Sequence, residues 1–126
     1  MEALRLCSFI PSELKSEVIE AEIRLCLPPC CRRERISVRV PMGIEPHPDN
    51  LEWHHDGGGK DGTTRHMVVW ATAQPTEIRD SHETIIMFQP YDVVWFDNDL
   101  AHHRQPRGTD ETKRWFVSIR CSGEMI

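Results

Sequence analysis

The hydrophobic period of this chain changes once, from 3.6 residues to two, and that change limits what the chain can fold into. Over residues 11–26, Leu14, Val18, Ala21 and Leu25 recur at i, i+4, i+7 and i+11, which predicts one amphipathic helix. Ser12 follows Pro11 as its expected N-cap. Glu13, Glu17 and Glu20 lie toward the positive end of the helix dipole. Pro28 and Pro29 stop the helix. From there the alternation is two. Ile36, Val38 and Val40 alternate with Ser37 and Arg39, and short strand candidates follow over 51–56, 65–72, 76–79, 84–88, 92–97, the brief and polar 101–105, and 114–121. About eight short strands with turn residues every 8–12 positions predict a mainly β fold of the sandwich or jelly-roll kind.

A chain of 126 residues is one domain by size and long enough for a real core. The net charge of −5 argues against a general nucleic-acid binder, which shows a basic face. No apolar run approaches the ~20 residues of a membrane span. The N-terminal residues carry no export pattern, so a cytoplasmic location is the expectation. In that setting the five cysteines, Cys7, Cys26, Cys30, Cys31 and Cys121, are expected as free thiols. Adjacent Cys30 and Cys31 lack the second pair that a zinc site needs.

Three segments carry candidate chemistry. Trp53-His54-His55-Asp56 ends the second strand and opens into a loop containing Gly57, Gly58, Gly59 and Gly62. On a strand, His54 and Asp56 share a face while His55 points away. Ala101-His102-His103-Arg104-Gln105-Pro106 follows the turn Asp97-Asn98-Asp99. Lys113-Arg114-Trp115-Phe116-Val117-Ser118-Ile119-Arg120 is an apolar strand with a basic start. Two imidazoles and a carboxylate form the facial triad that suits non-haem Fe(II). A nearby Arg grips a carboxylate with two parallel hydrogen bonds.

This order of motifs resembles the Fe(II)/2-oxoglutarate-dependent dioxygenase superfamily, over about residues 34–121. The resemblance implies a double-stranded β-helix (jelly-roll, cupin-like) behind an N-terminal helix, the whole chain 1–126 forming one domain. It implies that His54, Asp56 and His102 bind iron, with Pro106 at the family spacing from His102. Adjacent strand residues face opposite ways, so one of His102 and His103 is expected to point outward, and His103 stays open as the alternative distal ligand. Arg114, twelve residues after His102, would bind the far carboxylate of 2-oxoglutarate; Arg120 is its competitor on the same strand face. The implied chemistry consumes 2-oxoglutarate and molecular oxygen, oxidises a small-molecule or side-chain substrate, usually by hydroxylation, and releases succinate and carbon dioxide. Retained Asp56 argues against the halogenating branch. Several branches place a hydroxyl two residues past the Arg, where this chain has Phe116. Ser118 lies about 13 Å beyond Arg114, too far to share its ligand. Trp70 or Thr72 is therefore expected as the second polar partner of the cosubstrate. The chain is short for the family, so a homodimer partner is an expected source of substrate-enclosing parts.

The remaining polar groups have plainer expectations. His47, His66 and His82 read as solvated surface residues. Trp53, Trp70, Trp95 and Phe96 read as core aromatics. Arg32-Arg33-Glu34-Arg35 reads as a solvated strand start that has the charge to touch a substrate phosphate. The glycine loop is no P-loop and reads as a lip beside the metal, with Lys60 and Arg65 near substrate. Two alternatives stay open. One is another metal-dependent cupin-type enzyme without 2-oxoglutarate, against which Asp56 argues because cupins favour His-x-His. The other is a β-sandwich binding module whose histidines are incidental.

Overall fold

A computed structural model describes residues 2–32, 35–39, 52–54, 66–72, 75–104 and 115–121. Over the described residues it is mainly β, with two antiparallel sheets and one short α-helix. The strands are β1 (Ala3–Ser8), β2 (Ile36–Arg39), β3 (His66–Ala71), β4 (Thr76–Arg79), β5 (Ile85–Phe88), β6 (Asp92–Asp97), β7 (His102–Arg104) and β8 (Phe116–Cys121). One sheet has the order β1-β6-β3-β8-β2 and the other β5-β4-β7. Helix α1 (Ser16–Ile23) lies against β2.

The larger sheet is buried on two faces, which is why β3 and β6 read as nearly continuous apolar runs, MVVWA and DVVWF. Successive residues point opposite ways. Val68, Trp70, Val93, Trp95, Val117 and Ile119 meet Ile19, Ile23 and Leu27 of the helical layer. Met67, Val94 and Phe96 face the smaller sheet, where Ile78, Phe88 and Ala101 complete a second core. Each large side chain removed from water here is worth about 1.5–3 kcal/mol.

Alternation of burial along β4 shows that the smaller sheet is one-sided. Thr76 and Ile78 are buried, while Glu77 and Arg79 are partly exposed. Asp80 builds the turn into β5 by accepting hydrogen bonds from the backbone N–H groups of His82 and Thr84 at 2.9 and 2.8 Å. Glu83 completes that turn with φ 64°.

Several expectations are corrected. β1 is an additional strand, paired with β6. The helix is shorter than 11–26 and continues as a 3-10 turn, Arg24–Cys26. Its buried stripe is Ile19 and Ile23; Leu14 and Leu25 are exposed. The N-cap is Lys15, not Ser12. Ser12 instead donates its N–H and hydroxyl to Glu22 Oε1 at 2.8 and 2.6 Å, which holds the Glu22 carboxyl below its ordinary value. His66 is buried rather than solvated, 3.9 Å from Asp97 and against Trp95. His82 is exposed as expected, and His47 lies outside the described residues.

The thiols are not all reduced either. Cys31 and Cys121 form a disulfide with Cα atoms 5.3 Å apart, tying the 3-10 turn Pro29–Cys31 to the end of β8. Cys7, Cys26 and Cys30 stay outside any disulfide. Burial and a hydrogen bond with Cys26 push the Cys7 thiol up to about 12, so it remains protonated at neutral pH. Among the described residues, no helix is long and apolar enough to cross a membrane.

Thiol titration of unfolded, unreduced protein should count three thiols of the five cysteines. Reduction should then lower the stability measured in urea by up to about 4 kcal/mol, because the bond closes a long loop. A count of five would contradict the pairing.

Candidate functional site

The candidate site begins with the two-residue alternation around Trp53 and His54. Trp53 projects to the outer face of the smaller sheet. There two guanidinium groups lie over its ring, Arg79 at 4.9 Å and Arg104 at 4.4 Å from the ring centre. Arg104 donates from Nε to Glu77 Oε2 at 2.7 Å, which fixes that side of the stack. With Trp53 clamped outward, His54 turns inward.

His54 joins β7 through a single antiparallel bridge to His103. The two residues exchange backbone hydrogen bonds of 3.1 and 3.0 Å. Residues directly opposite in such a pair project to the same face. Their ring centres are accordingly 4.2 Å apart, with planes inclined at 56°. The inward direction of His103 is fixed twice more. It is opposite buried Ile78 of β4, and its ring is 5.0 Å from that of Phe96.

His102 takes the other direction. Its register partner is Arg79 on the outer face, as Arg104 is that of Glu77. The structure therefore brings His54 together with His103 and not with His102, reversing the expected parity of the pair. A signal for this was present in the sequence. Residues 102 and 104 share a face, and a charged Arg104 marks that face as the solvated one.

β7 starts where it does because Asp97 organises the turn before it. Its Oδ1 accepts from the backbone N–H of Asp99 at 2.9 Å and of Leu100 at 3.3 Å, and its carbonyl accepts from Ala101 N–H at 2.9 Å.

His54 Nδ1 is 2.7 Å from the carbonyl oxygen of Glu52. A carbonyl only accepts, so Nδ1 carries the proton, and in the neutral ring the lone pair resides on Nε2. This contact orients the ring, as an outer hydrogen bond does for a metal-bound imidazole. Two imidazoles with centres 4.2 Å apart are within the span that one cation bridges through nitrogen bonds of about 2.1 Å. The donor set thus fits a divalent metal as far as the two rings go. Asp56, the expected carboxylate, lies outside the described residues, as do Arg114, Pro106, His55, Lys60, Arg65 and the glycine loop. Among the described residues, no group of three His, Cys, Asp or Glu side chains is gathered to hold a metal ion.

The two residues expected to share the cosubstrate carboxylate are engaged elsewhere. Trp70 faces the helical layer, on the opposite side of the larger sheet from Met67 and Phe96, and its Nε1–H donates to Phe9 carbonyl oxygen at 2.9 Å. It cannot reach the space in front of His54 and His103. Thr72 is buried, and its hydroxyl accepts from Trp115 N–H at 2.9 Å while its own N–H donates to Trp115 carbonyl oxygen at 2.9 Å. This double tie anchors the chain immediately before β8. Trp70, Trp95 and Phe96 are core aromatics as expected; Trp53 is the outer-face exception.

Comparison of the chain with protein-family models, with curated proteins and with solved structures finds no match.

Thr72→Val should cost about 1–3 kcal/mol in urea denaturation, because it leaves the Trp115 N–H without its acceptor at nearly unchanged volume. A change below about 0.5 kcal/mol would remove Thr72 from its anchoring role.

Proposed function

We propose that this chain is an Fe(II)- and 2-oxoglutarate-dependent oxygenase built on a double-stranded β-helix, which hydroxylates a small molecule or a protein side chain. The observation that carries the reading is the inward pair His54 and His103, rings 4.2 Å apart, next to Asp56 in the sequence. The path of the chain supports the fold. Successive segments pass between the sheets in the order larger (β2), smaller (His54 bridge), larger (β3), smaller (β4, β5), larger (β6), smaller (β7), larger (β8). That is the interleaving a jelly roll requires.

In this reading His54, His103 and Asp56 hold the iron, and His102 belongs to the outer surface. The iron, when bound, supplies the redox chemistry by which oxygen and the keto acid are converted to succinate, carbon dioxide and an oxidised substrate. The protein's own part is positional. Glu52 carbonyl keeps the His54 ring in the tautomer that presents Nε2. Phe96 closes one side of His103 against water. Thr72 fixes Trp115, the neighbour of Arg114, whose guanidinium grips the far carboxylate of 2-oxoglutarate. A cytoplasmic location goes with this proposal. Three reduced cysteines favour it, and the single Cys31–Cys121 bond counts against it.

The test is substrate-independent turnover. Protein supplied with Fe(II), oxygen and 2-oxoglutarate should release succinate, and His54→Ala and Asp56→Ala should abolish that release. No succinate from the unaltered protein, or equal release from both variants, would contradict the proposal.

A further inference from the structure

Three sulfur atoms meet where the helical layer joins the end of β8. Cys31, buried in the 3-10 turn Pro29–Cys31, is bonded to buried Cys121. Its neighbour Cys30 is only partly buried, and the Cys30 Sγ is 3.9 Å from that of Cys31. The turn holds the two sulfurs in this relation. Pro29 fixes the backbone at its start, Cys31 N–H donates to the Pro28 carbonyl oxygen at 2.9 Å, and Arg32 Nε donates to the Leu27 carbonyl oxygen at 3.1 Å. A thiol in contact with a disulfide supplies both reactants of thiol–disulfide exchange.

The far sulfur of the bond has a proton carrier beside it. Cys121, His66 and Asp97 are register partners across β8, β3 and β6. Residues directly opposite on antiparallel strands project to one face, with Cβ atoms about 4.5–5.5 Å apart. That face is the helical side, because His66 packs on Trp95, and Trp95 shares the helix-side core with Cys121. His66 Nε2 in turn is 3.9 Å from Asp97 Oδ2. A bare thiolate left on Cys121 in this apolar layer would be costly. The His66 imidazole is placed to give that sulfur a proton as it leaves.

Both sulfurs of the bond belong to fully buried residues, so an external thiol has no direct approach to them. Cys30 does reach solvent. We propose that Cys30 is the relay thiol through which small thiols and disulfides reduce and re-form the Cys31–Cys121 bond. The Cys30 thiolate attacks Cys31 Sγ. A Cys30–Cys31 bond forms, the Cys31–Cys121 bond breaks, and its electron pair passes to Cys121 Sγ, which takes a proton from His66. An external thiolate then attacks Cys30 Sγ, and Cys31 leaves as a thiol. A second external thiol releases Cys30 from the mixed disulfide, with the two external thiols departing as their disulfide. The protein bond is reduced and the two external thiols are oxidised; re-formation runs the same steps in reverse. The relay needs neither metal nor keto acid and stands apart from the oxygenase reading.

The probe is dithiothreitol, acting on the intact folded protein at neutral pH. Samples are quenched in acid and alkylated, and the linked Cys31–Cys121 peptide is followed by mass spectrometry. Cys30→Ser should slow reduction at least about tenfold, because the adjacent thiol that reaches the buried bond is then gone. Cys26→Ser, whose thiol is engaged with Cys7 instead, should leave the rate unchanged. Equal urea midpoints for the oxidised Cys30→Ser and unaltered proteins would confirm that the slowing is not a gain in stability. Equal rates in those two proteins would overturn the relay. His66→Gln separates a proton-carrying role from a packing role by the sign of its effect. Loosened packing would expose the bond and speed reduction, whereas loss of the proton carrier should slow it about threefold or more; a faster rate would contradict the part assigned to His66. Finally, glutathione disulfide added to the reduced protein should be captured first on Cys30, and first capture on Cys31 or Cys121 would overturn the proposal.

Discussion

The ladder of β6, β3 and β8 is the constraint from which the other features follow. Its backbone register decides, residue by residue, which side chains face the helical layer and which face the smaller sheet. Both faces are apolar at the centre, so a slip of one residue would exchange two cores at once, moving Trp70 and Trp95 to the inner side. The cost of such an exchange fixes the register. The register then fixes where polar residues are permitted: at the strand ends, and on the inner side of β8 and β2 where Ser118 and Ser37 oppose each other.

The same two-residue rule governs the smaller sheet, with a charged outer face in place of a second core. The outer side is held by a stack of Arg79 and Arg104 on the Trp53 ring, with Glu77 fixing Arg104. That arrangement is partly exposed, so its charges contribute little net stability. Its consequence is directional. It commits residue 53 outward, and so commits His54 to face His103 across the bridge. The site and the stack are two sides of one short strand pairing.

Most of the strand plan was legible in the sequence because short strands bounded by Pro, Gly and Asp announce their limits. The segments 76–79 and 92–97 coincide with β4 and β6, and 114–121 contains β8. β1 was not legible, since LRLCS has no clean alternation; its partner β6 makes it a strand. The helix was legible only in part: Ser16–Ile23 falls inside 11–26, but its buried stripe is rotated, because Leu14 and Leu25 looked like core residues. The 3-10 turns after Ile23 carry the chain away before that stripe can bury. His54 was legible from its neighbours. His103 was masked by an adjacent identical residue, and only the β4 partner of each histidine distinguishes them. Trp70 looked like a polar donor near the cosubstrate. Its indole is consumed by Phe9, sixty-one residues away in the chain, a contact no local pattern reports.

What the structure adds to the sequence is therefore a choice between two neighbouring imidazoles. Equilibrium binding of Mn(II) under argon, followed for the unaltered protein and for His102→Ala and His103→Ala, tests that choice. One cation should bind per chain. His103→Ala should weaken it by more than about 100-fold, beyond what loss of a ligand's hydrogen-bonding partner costs, and His102→Ala should leave it nearly unchanged. The reverse order of the two variants would contradict the inward pairing of His54 with His103 and the oxygenase reading built on it.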